Sequence, residues 1–135
     1  MAIESGLGWT TMSVDDAAGT ARDIRSDCFN LDFSTPRTVQ DITALTNSAV
    51  ARLLLLSDIT GTLALGFDDG SNLAHSVFKT VSTTSVNRTW SAAISGQTLT
   101  AEVICTDYAA TRAQGGEFTF SVPFQNGDGS VPTWS

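Results

Sequence analysis

The sequence predicts a mainly β domain, an antiparallel sandwich or barrel carrying one short α-helix at about Ser71–Val81. Three observations predict it. Apolar and polar residues alternate over several short stretches, one stretch changes to three-and-four spacing, and nowhere do strand and helix patterns alternate as in a parallel sheet. The 135 residues suit a single domain, 1–135, able to bury a core without disulfide staples.

Taken in order, Phe29, Leu31 and Phe33 alternate with Asn30, Asp32 and Ser34 until Ser34-Thr35-Pro36 interrupts, and a strand restarts near Val39 to Thr43. In DITGTLALGF, Ile59, Leu63, Leu65 and Phe67 share a face opposite Thr60, Thr62 and Ala64, with Gly61 and Gly66 weakening the strand slightly. Between Asp68 and Val81 the rhythm changes: Leu73 and Val77, Ala74 and Phe78, and Val77 and Val81 are i,i+4 pairs. Ser71 fits an N-cap, Asp68 and Asp69 the positive end of the helix dipole, and Lys79 the negative end.

Three strands are expected after the helix. Trp90, Ala92 and Ile94 alternate with Thr89, Ser91 and Ser95, and Leu99, Ala101, Val103 and Cys105 alternate with Thr98, Thr100 and Glu102. Gly96-Gln97 between them reads as a two-residue hairpin turn of type II′. In EFTFSVPF, Phe118, Phe120, Val122 and Phe124 point one way, and Pro123 suggests a strand end or an edge because it has no N–H to donate. Gly115-Gly116 reads as a turn, since no Lys-Ser/Thr follows as in a phosphate loop.

Composition narrows function. A net charge of -7 with no basic run argues against tight, sequence-independent hold on nucleic acid. Cys28 and Cys105 match no zinc spacing and read as buried thiols. The start, MAIESGLGWTTMSV, lacks the features of a signal peptide, and the aliphatic run Leu53–Leu56 is far too short to cross a bilayer, so a cytosolic origin without membrane insertion is expected.

The search for chemistry is mostly negative. His75 is the sole histidine, so a hydrolase would have to use it with Ser76 or Ser85, and no third group to orient the base is evident. The loops Asp68-Asp69-Gly70-Ser71-Asn72 and Asn126-Gly127-Asp128-Gly129 lack the acid spacing of an EF-hand and read as turns. No enzyme activity, cofactor or metal is expected. The seven basic residues are dispersed, and pairing with surface acids is their simplest reading. Arg37 and Arg52 flank TVQDITALTNSAVA, a polar stretch resembling neither a secure helix nor a core strand, whose length suits an arm that hooks a neighbour. The outward strand faces carry hydroxyls with few charges, leaving sheet edges in need of partners.

The succession DIRSDCFNLDFSTPRTVQDIT, then RLLLLSDITGTLALGFDDGSNLAHSVFKTV, then RTWSAAISGQTLTAEVICTDYAATRAQGGEFTFSVPFQNGDGSVPTW resembles the major tail tube proteins of long, flexible-tailed bacteriophages, the siphophages. The resemblance spans about Trp9 to Trp134. It implies a structural virion protein whose subunits close into hexameric rings that stack into a tube for the genome. The arm from Arg37 to Ala51 would then contact the next ring, with Arg37, Thr38, Asp41, Thr43, Asn47 and Arg52 as candidate contacts. Thr98, Thr100 and Glu102 are the candidates for the lumen, where hydroxyls and acids let double-stranded DNA pass without tight binding.

The resemblance further implies tape-measure, tail terminator and baseplate proteins as partners, assembly in the host bacterial cytoplasm, and a final place in the virion tail. The same architecture serves non-polymerising modules, so capsid decoration, tail termination or receptor recognition is the alternative.

Overall fold

The alternating segments pair as antiparallel strands throughout the computed structural model, which describes Ile3 and residues 5–135. Met1, Ala2 and Glu4, part of the stretch read above for a signal peptide, lie outside the described residues. The strands are β1 (Trp9–Asp15), β2 (Ala21–Asp23), β3 (Cys28–Ser34), β4 (Arg37–Asp41), β5 (Arg52–Ser57) and β6 (Thr60–Gly66). After helix α1 (Ala74–Phe78) come β7 (Arg88–Ile94), β8 (Gln97–Cys105), β9 (Ala109–Arg112), β10 (Phe118–Asn126) and β11 (Thr133–Trp134). Five strands thus follow the helix rather than three. β9 and β11 escape sequence reading because they are short and carry no alternating apolar residues.

Nine strands form one sheet in the order β2-β1-β7-β8-β10-β6-β3, with β9 beside β10 and β11 beside β8. Strands β1, β6, β7, β8 and β10 all contribute to a single core cluster with the helix, so the sheet curls around it as a barrel does. Trp90, Leu99, Val122, Phe124, Leu63 and Leu65 come from alternate positions of those strands, and Ala74, Val77 and Phe78 are the buried face of α1.

The helix is shorter than Ser71–Val81. Asn72 has a φ of 64°, which breaks the right-handed spiral before Leu73, and the chain after Phe78 runs on as turns rich in Thr and Ser. Ser71 does not cap it. The cap comes from far away instead: the Ala74 N–H donates to Oδ2 of Asp27 at 3.1 Å in a buried bond.

The hairpin between β7 and β8 also differs in detail. Ile94 lies opposite Gln97, so the two central residues are Ser95 and Gly96, with φ of 52° and 77°. Positive φ at both is the type I′ turn, not type II′ with Gly96-Gln97. Pro123 is not at an edge either: β10 pairs with β6 on one side and with β9 and then β8 on the other. Its carbonyl accepts from the Thr106 N–H at 3.1 Å, where the chain leaves β8, so its missing donor faces the break between two neighbours.

Phe29 departs from its expected face. A bulge between Cys28 and Asn30 turns it outward, 69% exposed, while Leu31 and Phe33 pack on the core. Both cysteines are free and half-buried rather than buried; burial pushes the Cys28 thiol up and that of Cys105 to about 11. Dispersed arginines pairing with acids holds for one case among the described residues, Arg22 to Asp16 at 3.0 Å. The others that are bonded brace backbone: Nη1 of Arg25 donates to the carbonyls of Trp9 and Thr10.

Candidate assembly surfaces

The ribbon formed by β3 and β6 continues into β4 and β5. Ser34 lies opposite Thr60 and Arg37 opposite Ser57, so one register runs through the break at Thr35-Pro36, where the Asp58 N–H donates to the Pro36 carbonyl at 3.0 Å. Beyond that point β4 and β5 pair with each other and with no other strand among the described residues, which makes them a two-stranded arm separate from the main sheet. The strand expected at Val39–Thr43 is therefore Arg37–Asp41, half of a hairpin rather than an irregular loop.

Four of the six polar candidates bond within the arm. Nε of Arg37 donates to the Leu55 carbonyl at 2.9 Å, bracing the two strands. Asp41 Oδ1 accepts from the Thr43 N–H at 2.8 Å, and the Thr43 hydroxyl and backbone together hold the Asp41 carboxyl below its ordinary pKa. Thr43 Oγ1 accepts from the Ala51 N–H at 2.8 Å, and Asn47 Oδ1 accepts from the Ala44 N–H at 2.6 Å. Arg52 sits opposite Asp41, and Thr38 is exposed. The Asp41, Thr43 and Asn47 bonds close the tip on itself.

The arm also offers apolar side chains outward. Leu53, Leu54, Leu55 and Leu56 are 49%, 55%, 36% and 89% exposed, and Val39, Ile42, Leu45 and Val50 are exposed around them. The sequence reading considered Leu53–Leu56 only as a membrane span; the available signal was an unbroken aliphatic run on a strand with no core to bury it. Among the described residues, no helix is long and apolar enough to cross a membrane. Leu54, Leu55 and Leu56 line a groove of about 930 Å³ with Arg37, Thr38, Val131 and Pro132.

A second apolar surface lies elsewhere. Phe67 and Phe118, each 45% exposed, stack with centroids 5.3 Å apart where β6 and β10 meet. Phe29 on the neighbouring strand lies over Gly66, where a Cβ would meet its ring.

Thr98, Thr100 and Glu102 are brought together on the face of β8 turned away from the core, between buried Leu99, Ala101 and Val103. Across the ladder they meet Ala93, Ser91 and Thr89, and the Thr89 hydroxyl donates to the Glu102 carboxylate. The same face continues through Thr11, Ser13 and Asp15 of β1, Thr119, Ser121 and Gln125 of β10, and Thr60 and Thr62 of β6. Across these five adjoining strands this face carries hydroxyls and two carboxylates but no lysine or arginine.

His75 is placed among aromatics. Its Nδ1 is 3.2 Å from the Tyr108 hydroxyl, and its ring centroid is 4.8 Å from that of Phe67. Burial pushes the Tyr108 phenol up to about 12, and neither Ser76 nor Ser85 is bonded to the histidine. The two acidic loops are held as turns: Asp68 Oδ1 accepts from the Gly70 N–H, and Asp128 Oδ1 from the Ser130 N–H. No group of three or more His, Cys, Asp or Glu side chains converges as a metal site among the described residues.

No protein-family model matches this chain, and no curated protein matches it in sequence. Solved structures do. A chain from the virion of a native gene transfer agent particle superposes with a TM-score of 0.75 at 12% identity, covering 98% of this chain and 99% of that one. A chain from the tail of an empty gene transfer agent particle, refined helically with C6 symmetry, gives 0.72 at 13% identity over 98% and 99%. The likeness, end to end on both chains, establishes the fold.

Proposed function

We propose that this chain is the repeating subunit of a phage-type tail tube, a structural and non-catalytic virion protein that closes into rings, six-membered in the simplest case, which stack around a channel for DNA. The observation that carries this reading is the β4–β5 arm, which projects from the barrel and presents Leu53–Leu56 to solvent. Burying a leucine fully is worth about 1.5–3 kcal/mol, so the arm leaves several kcal/mol of apolar burial to be gained per copy on assembly. A heterologous contact needs a different receiving surface on the next copy, and the stacked, half-exposed Phe67 and Phe118 offer one.

The fold shared with a chain from a C6-symmetric tail supports stacked rings. The cation-free face of β1-β7-β8-β10-β6 supports a lumen: with Thr98, Thr100 and Glu102 turned inward, a passing phosphate backbone meets hydroxyls and carboxylates and finds no lysine or arginine on which to stall. Tape-measure, terminator and baseplate proteins would be its partners, and the virion tail its location after assembly in the bacterial cytoplasm.

Sedimentation velocity and electron microscopy of the purified chain over a rising concentration series test this. Rings or tubes are the expected result. A monomer at every concentration that instead co-sediments with capsids would favour the non-polymerising module.

A further inference from the structure

The end of β10 and the loop after it hold the chain's sole asparagine followed by glycine, Asn126-Gly127. That pair has a chemistry of its own. Glycine has no Cβ to fend off the preceding side chain, so its backbone nitrogen can attack the asparagine Cγ once the nitrogen is free to lose its proton and the carboxamide is free to turn.

Neither group is free in the folded chain. The Gly127 N–H donates to the Glu102 carbonyl of β8 at 2.9 Å. The Asn126 carboxamide is held at both ends: Oδ1 accepts from the Gly129 N–H at 3.0 Å, and Nδ2 donates to the Ser130 carbonyl at 2.7 Å. Ser130 is fixed in turn, its N–H and its hydroxyl both donating to Asp128 Oδ1. On the other side, the Asn126 N–H donates to the carbonyl of buried Ile59 at 3.1 Å. Packing, not a positive φ, demands glycine at 127, because a Cβ there would fall 2.5 Å from Asn87 Oδ1 and 3.0 Å from Ile104 Cγ2. A reactive pair therefore stands where space requires it, with both reacting groups tied down.

We propose that Asn126 is a modification site gated by this loop, closed to deamidation while these bonds hold and open to it when they part in a local opening. On opening, a bond forms between the Gly127 nitrogen and Asn126 Cγ, the bond from Cγ to Nδ2 breaks, and the side-chain nitrogen leaves as ammonia with the proton that Gly127 gave up. Water then opens the imide at either carbonyl, which leaves aspartate or isoaspartate and restores the Gly127 N–H. The net exchange is NH2 for OH. The product carries one more negative charge beside Asp128 and no donor for the Ser130 carbonyl, so the loop closes less well and the change marks chains that have opened.

The full chain, folded or in concentrated guanidinium chloride at mildly alkaline pH, is sampled over time by trypsin digestion and mass spectrometry. Cleavage after Arg112 gives peptide 113–135, in which Asn126 is the only asparagine, and the gain in mass separates deamidation from isomerisation of Asp128, which leaves the mass unchanged. The unfolded chain is expected to convert Asn126 about tenfold faster than the folded chain, or more. Asp128→Ala, with folding established by circular dichroism, frees Ser130 and should convert at a rate between the two. Equal rates in the folded and unfolded chain would overturn the gating, and an unfolded chain that keeps Asn126 intact would overturn the site. A folded Asp128→Ala variant that converts no faster than the unaltered chain would show that the bonds of this loop are not the gate.

Discussion

Nη1 of Arg88 donates to the Val77 carbonyl at 2.8 Å, a buried bond between strand β7 and the last turn of α1. The same nitrogen donates to the Asp15 carbonyl at 2.9 Å, so one fully buried guanidinium ties helix, β1 and β7 together without any carboxylate. Bonds to a charged group contribute about 1.5–3 kcal/mol each, and carbonyls left bare in a dry site cost more than bonds never made.

Arg88→Met is therefore expected to destabilise the chain by about 3 kcal/mol or more, read as a lower urea midpoint. Arg88→Lys should restore only part of it, because a point charge cannot match the planar fork of arginine. A midpoint unchanged by Arg88→Met would show that the guanidinium contributes nothing net.

Gly61 is required by its neighbours. A Cβ there would fall 2.5 Å from Cζ of Phe124 and also strike the Asp32 carbonyl, whereas one at Gly8 would meet Ile94 Cγ1 at an ordinary 3.8 Å. Gly61→Ala should cost about 1–3 kcal/mol through overpacking, and Gly8→Ala should leave the urea midpoint nearly where it is. Equal effects would mean that the Asp32 backbone and the Phe124 ring both give way freely.

Asp27 gives stability an unusual pH dependence. Burial first, then a hydrogen bond shared with the Asp68 carboxyl, pushes its pKa up, while the Ala74 N–H works against the rise. Between the ordinary aspartate value of 3.8 and the raised folded value, the native chain binds a proton that the unfolded chain has released. Asp27 therefore makes stability fall as pH rises through that window. Asp16 acts oppositely: the Thr20 N–H and Arg22 hold it low, so its contribution is lost as pH falls. Asp27→Asn keeps an acceptor for Ala74 but removes the titration, so its urea midpoint should gain on the unaltered chain as pH rises. Parallel curves would contradict this.

The barrel was legible wherever alternation met a core. Phe120, Val122, Leu63, Leu65, Trp90 and Leu99 are buried as their spacing predicts. β1 was not read as a strand, because Thr, Met, Ser and Val in WTTMSVD give only two strongly apolar positions, and β2 has three residues. The helix boundary failed because Asn72 adopts a left-handed φ and the cap is Asp27, 47 residues away in the chain. Sequence identified the arm by its place between Arg37 and Arg52 but assigned its contacts to polar residues. Asp41, Thr43 and Asn47 close the tip on itself, and the exposed Leu53–Leu56 beside them carry no polar signal that a search for polar contacts would pick up.

The central claim is that this arm drives self-assembly. The direct measurement is electron microscopy, beside sedimentation velocity, of the full chain and of a variant lacking residues 38–49 at matched concentration. The full chain should form rings or tubes, and the variant should stay a folded monomer with the circular dichroism of the intact barrel. Tubes of normal appearance from the variant would contradict the account.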